Sequence, residues 1–68
     1  MIVGEYFGEG QWENRKAEVH LHQYDKYFYV KLYENGVHTD TRLMQDKSER
    51  YAEDCAENWV LGVFHGRS

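Results

Sequence analysis

The chain of 68 residues has no proline and one cysteine, Cys55. No proline-rich linker, repeat or low-complexity stretch divides it, so a single domain over residues 1–68 is expected. A lone cysteine cannot close an internal disulfide, and no charged segment followed by an apolar run opens the sequence. Together these predict a reduced, cytoplasmic setting. Long hydrophobic runs are missing too. Trp59-Val60-Leu61 is far shorter than the roughly 20 apolar residues that cross a bilayer, so no membrane partner is expected. Basic residues are scarce: eight Lys and Arg against twelve Asp and Glu leave a net charge of -4. That balance opposes capture by phosphate backbones and by anionic membranes.

Catalytic signatures are absent as well. An enzyme would need a nucleophile beside a base, a carboxylate pair facing a cleft, or a glycine loop cradling phosphate. Gly8-Glu9-Gly10 has neither the strand-loop-helix context nor the lysine of a phosphate loop. Cys55 falls within an apolar helical stripe and reads as a small buried hydrophobe rather than a nucleophile. A non-enzymatic protein without a cofactor is the expectation.

What is present is patterning. Asn35-Gly36 accepts positive φ at both positions and predicts a two-residue hairpin turn. A regular register from that turn pairs Tyr33 with His38, Lys31 with Asp40, Tyr29 with Arg42 and Phe28 with Leu43. A second two-residue turn at Asp25-Lys26 would pair Tyr24 with Tyr27, His22 with Tyr29, His20 with Lys31 and Val19 with Leu32. Both registers put Val19, Leu21, Phe28, Val30, Leu32 and Leu43 on one apolar face. From Asp46 the period changes to that of a helix. Ala52, Cys55, Ala56, Trp59, Val60 and Val63 form a stripe, with Asp46 and Glu49 spaced as a capping box and Ser48 as the rival cap. Gly62 should end the helix, with Val63 and Phe64 folding back on the core. Ile2 to Phe7 reads as a short edge strand before a glycine-rich turn and Trp12.

The fold class expected is therefore a small two-layer α+β domain. It comprises an antiparallel three- to four-stranded β-meander and one C-terminal amphipathic helix packed on one face. The segments are 1–16 for the edge strand and turn, 17–44 for the meander and 46–61 for the helix.

The same alternation turns His20, His22, Tyr24, Tyr27, Tyr29, Lys31, Tyr33, His38, Arg42 and Met44 to the other face. Two explanations compete. Tyrosine favours strands and cross-strand rings stabilise sheets, so these residues can be purely structural, or partly covered by the N-terminal segment. A contiguous surface of this kind also marks interaction sites. Its binding candidates are His20, His22, Tyr27, Tyr29, Lys31, Tyr33, His38 and Arg42. Rings beside Lys31 and Arg42 resemble a stacking platform for single-stranded nucleic acid. Asp40 and Glu18 nevertheless share the surface, and phosphate recognition needs a clustered basic excess. Protein interfaces enrich Tyr, Met and Arg, so a protein partner, including a second copy, fits better. His20 and His22 project about 6.5–7 Å apart, within reach of one metal ion, but His38 lies about 10 Å across the sheet and completes no ligand set. No metal is expected. On the helix, Glu49, Glu53 and Glu57 follow each other at four-residue steps; a solvated face explains them, and a basic partner would offset their repulsion.

The run from Ser48 to Gly62, Ser-Glu-Arg-Tyr-Ala-Glu-Asp-Cys-Ala-Glu-Asn-Trp-Val-Leu-Gly, together with Tyr27-Phe28-Tyr29-Val30-Lys31-Leu32-Tyr33, resembles small proteins of tailed phages that infect marine cyanobacteria. That resemblance covers most of the chain and implies a phage origin and a host-cytoplasm location, with no activity attached. The expected topology is also similar to the arm-binding domains of phage integrases and to a class of plant DNA-binding domains, which read DNA with an open sheet face. The Arg-rich strand surface of those domains is replaced here by Tyr and His, which argues against DNA reading.

Overall fold

The computed structural model describes residues 1–62. Strands β1 (Ile2–Phe7), β2 (Arg15–His22), β3 (Tyr27–Glu34) and β4 (Val37–Met44) precede the helix α1 (Glu49–Val60), with a 3-10 turn at Gly10–Trp12. The strands form one antiparallel sheet in the order β1-β2-β3-β4, a meander with the expected edge strand in place. The first segment therefore widens the sheet rather than lying across it. Strand β2 begins two residues earlier than the sequence predicted.

The helix packs across β1, β2 and β3. Ala17, Val19, Val30, Leu32 and Met44 of the sheet meet Ala52, Ala56 and Val60 of the helix in the buried core. Of the helical stripe, Ala52, Ala56 and Val60 are buried as expected, whereas Cys55 and Trp59 are half-buried beside the core instead of inside it. Ser48 is the N-cap, its hydroxyl accepting from the Tyr51 amide at 3.2 Å, so the helix starts at Glu49 and not at 46. The reason is local: a Ser side chain three residues before an amide satisfies one of the donors that the first helical turn leaves open. At the other end Leu61 donates to the Glu57 carbonyl at 3.2 Å and Gly62 to that of Trp59 at 3.1 Å. Gly62 has φ +74, and a methyl group there would run into the Trp12 indole, so this position requires glycine twice over. Val63 and Phe64 lie outside the described residues.

Both hairpins depart from the predicted pairing. Asn35 and Gly36 adopt φ 56 and 78 and set Glu34 opposite Val37 and Tyr33 opposite His38, as the turn requires. Beyond that point Leu32 pairs with Asp40, because Thr39 is an extra residue in a β-bulge whose hydroxyl donates to the Leu32 carbonyl at 3.1 Å. Every later residue of β4 is thereby turned over. Met44 is buried at 7% exposure, whereas Leu43, expected inside, is 59% exposed. In the other hairpin the loop is Gln23 to Lys26, closed by a Lys26 amide to His22 carbonyl bond of 2.8 Å, with Lys26 at φ 58. His22 thus faces Tyr27 and His20 faces Tyr29, two positions from the predicted register. A shift of two keeps every side chain on its face, so the face assignment of β2 survives.

One feature of the helix side was not anticipated. Arg15 sits at a core-facing position of β2, with its guanidinium 4.0 Å from the Trp12 ring centre and 4.5 Å from that of Trp59. It pairs with Glu34 at 3.2 Å and donates to the Trp59 carbonyl at 2.7 Å, near the helix C-terminus where a cation is favoured. The clue was its parity: residues 15, 17, 19 and 21 share a face, so a charge at 15 demands partners.

Candidate functional site on the open sheet face

The face opposite the helix is organised in cross-strand rows. Phe7, Lys16, Tyr33 and His38 make one; Glu5, Glu18, Lys31 and Thr41 the next; Ile2, His20, Tyr29 and Leu43 the third; His22 and Tyr27 complete it. Of the predicted site residues, His20, His22, Tyr27, Tyr29, Lys31, Tyr33 and His38 are together on this surface. Arg42 is not. It pairs with Val30, a buried core residue, so the bulge carries it to the helix side, where it lies 3.5 Å from Asp40. The predicted Tyr29–Arg42 and Lys31–Asp40 contacts are replaced by Tyr29–Leu43 and Lys31–Thr41 pairs. Met44 leaves the surface for the same reason, and Leu43 joins it.

The rings form a connected series. Tyr24 meets His22 edge-on at 6.4 Å, His22 stacks on Tyr27 at 4.9 Å, Tyr27 lies 6.2 Å from Tyr29, and Tyr29 stacks on His20 at 5.0 Å. The corrected register is what makes this possible, because it sets each imidazole directly opposite a phenol. Tyr33 and His38 form a separate edge-on pair at 5.5 Å. Tyr24, at the hairpin tip, is 92% exposed.

Beneath the rings lies a buried polar network. Glu18 and His20 are only 8% and 9% exposed although no second layer covers them. Shielding comes from the side chains around them. Glu18 takes the His20 Nε2 at 2.9 Å, the Lys16 Nζ at 3.1 Å and the Tyr33 hydroxyl at 3.3 Å. Burial acts to raise the Glu18 carboxyl, but the hydrogen bonds from His20, Lys16 and Tyr33 outweigh it and hold the group below its ordinary value. The hydrogen bond to Glu18 likewise raises Lys16, whose ammonium lies 5.1 Å over the Tyr33 ring.

His20 and His22, weighed as a metal pair, are engaged otherwise. His22 Nδ1 accepts from the Asp25 amide at 3.3 Å and lies 3.8 Å from its carboxylate. Among the described residues no three His, Cys, Asp or Glu side chains converge as a metal site. His38 bonds Thr41 at 2.7 Å. On the opposite layer Glu53 is raised, first by its hydrogen bond with Glu49. Partial burial, followed by those same helix carboxylates, raises the Tyr6 hydroxyl.

Sequence reasoning missed Ile2, Phe7 and Leu43 as members of the face, respectively 47%, 61% and 59% exposed. Their signal was register, which no single residue announces. These features define an antiparallel meander with one helix and an uncovered, ring-bearing face. No family model, curated protein or solved structure matches the chain. No helix among the described residues is long and apolar enough to cross a membrane.

Proposed function

We propose that this chain is a non-enzymatic binding protein, a phage accessory factor that engages a protein partner in the host cytoplasm through the open sheet face. The observation that carries the reading is the order of that face before any partner arrives. The stacked rings and the saturated Glu18 network hold Tyr27, Tyr29 and Tyr33 in place. Rigid aromatic anchors lose little conformational entropy on binding, which is how tyrosine-rich protein interfaces gain affinity.

Charge separates this reading from its rival. With Arg42 and Asp40 both on the helix side, the face carries Lys16 and Lys31 against Glu5 and Glu18. That balance suits a protein surface, while a phosphate backbone calls for a basic excess. Single-stranded nucleic acid is the second reading, favoured by the row of stackable rings. Tyr29→Glu tests both. It places a charge at the centre of the face while leaving the helix-side core untouched. Loss of affinity capture of a protein from cyanobacterial lysate, with an unchanged fold, is the expected result. Salt-sensitive micromolar binding of a labelled oligonucleotide by the parent, abolished in Tyr29→Glu, would instead favour the second reading.

A further inference from the structure

The turn that sets the β3–β4 pairing is also a chemically reactive pair, and we infer that Asn35-Gly36 is a site of spontaneous covalent modification, where deamidation inserts an extra backbone carbon into the hairpin. The reaction needs no enzyme and no partner, so it holds whichever partner the open face takes.

Asn35 is followed by a glycine, whose nitrogen has no side chain to shield it, whereas Asn14 and Asn58 precede the bulky Arg15 and Trp59. Both turn residues are exposed, and a methyl group built on Gly36 would meet nothing within 4 Å, so a ring has room to form. The hydrogen bonding is one-sided. The Asn35 amide donates to the Asn14 carbonyl at 2.8 Å, but the Gly36 amide donates to no group among the described residues. The nitrogen that must attack is therefore the one left unheld. With φ 56 and 78 the turn is type I′, which sets ψ of Asn35 at roughly +30° and keeps the Gly36 nitrogen away from the side-chain carbonyl carbon. Rotation about that one bond, with the Asn14 anchor kept, brings the two together, so the reaction runs through an opened turn. Such opening is local. Strand β4 is exposed along its length save Met44, and the helix packs across β1, β2 and β3 instead.

The bonds balance with water as the only co-reactant. Hydroxide takes the Gly36 amide proton, the nitrogen bonds to Cγ of Asn35, and the side-chain nitrogen takes a proton from water and leaves as ammonia. A five-membered succinimide results. Water then adds to one of its two carbonyl carbons. Breaking the new N–Cγ bond gives an aspartate on the original backbone, while breaking the bond from Gly36 nitrogen to the main-chain carbonyl carbon gives an isoaspartate, with the chain running through Cβ and Cγ. Either product adds a negative charge next to Glu34, on a chain already at -4. The isoaspartate also lengthens a two-residue turn whose length fixes the register. Glu34–Val37 and Tyr33–His38 are the first pairs beyond it, so this end of the ring-bearing face should come apart first.

To test this, the intact chain is incubated in mildly alkaline buffer beside a urea-unfolded sample, and peptides spanning the three asparagines are mapped by mass. Isoaspartate is counted by enzymatic methylation of its free carboxylate. Conversion confined to position 35, mostly to isoaspartate and roughly ten- to hundredfold slower in the folded chain than in the unfolded one, is the expected result. Asn35→Gly keeps a turn-forming pair without the side-chain amide. It should stay unmodified and retain the Tyr33–His38 contact, followed by NMR, that the aged parent loses. A folded chain still intact at position 35 when the unfolded sample is fully converted overturns the inference, because the turn then seals the site. Conversion at Asn14 or Asn58 as fast as at Asn35 overturns it as well. An isoaspartate-bearing chain that keeps the Tyr33–His38 contact overturns the effect on the face.

Discussion

Strands β2 and β4 have eight residues each in the same sheet, yet the middle of β2 is buried on both faces while β4 is exposed on both, save Met44. The helix accounts for one side of β2. On the other side burial is achieved by neighbouring side chains: Tyr29 and Tyr33 roof over Glu18 and His20, and Lys16 closes the end. Strand β4 has neither cover. It lies beyond the helix, and its bulge breaks the alternation that would have aligned it with the core. Placement in the sheet decides burial here more than the composition of a strand does, and a single layer can build an interior when its long side chains lie across one another.

The largest test of this contrast is in the core layer. Leu32 is 2% exposed and Val37, the first residue of β4, is 63% exposed. Leu32→Ala should cost about 2–5 kcal/mol, comparable to the entire stability of a domain this small, and leave the chain largely unfolded. Val37→Ala should stay within about 0.5 kcal/mol of the parent. Urea titrations of the two variants check the difference, and equal losses would show β4 to be as much a part of the core as β3.

The polar network on the open side should matter less, and in a pH-dependent way. Glu18 is held below its unfolded value, so its contribution is complete above the ordinary range of about pH 4.3 and is lost as pH falls through the lower folded value. Lys16 is raised, so its contribution is held below its ordinary value of about pH 10.4 and lost as pH rises through the folded one. Glu18→Gln should destabilise by about 1–3 kcal/mol near neutral pH, because charge-assisted bonds to buried groups are lost. Against acid it should flatten the stability curve. Melting temperatures taken from pH 7 down to pH 2, in roughly unit steps, would show the parent and variant converging at the acid end. Parallel curves would mean that Glu18 is not the group being titrated.

Smallest of all should be Leu43→Thr, expected within about 0.5 kcal/mol in dilute solution, since the side chain faces solvent across from Tyr29. A loss comparable to that of Leu32→Ala would restore the unbulged register.

Most of this architecture was legible in the sequence. The Asn35-Gly36 turn, the two-residue alternation in β2 and β3 and the helical stripe through Ala52, Ala56 and Val60 each carry a local physical signal. The four-residue loop at Gln23 to Lys26 escaped notice because Asp25-Lys26 looked like a shorter turn, but an even shift left the faces intact. The bulge was invisible for a different reason. Thr39 is β-branched and suits a regular strand, and nothing beside it marks the extra residue, so Arg42 and Met44 were assigned to the wrong side. Ser48 against Asp46 was a choice between two sound caps, which only the geometry of the Tyr51 amide decides.

That extra residue also bears on how such a surface changes over generations. Substitutions alter one side chain of β4 at a time. Gain of a single codon at position 39, with the bulge kept, would exchange both faces of the strand from Asp40 onward, trading Leu43 for Arg42 beside the rings while the turn and β3 stay in place. Loss of Thr39 would instead remove the bulge and leave the faces as they are. An insertion event of the smallest size is thus equivalent to a block of coordinated replacements, and the specificity of the ring-bearing surface is open to revision in one genetic step.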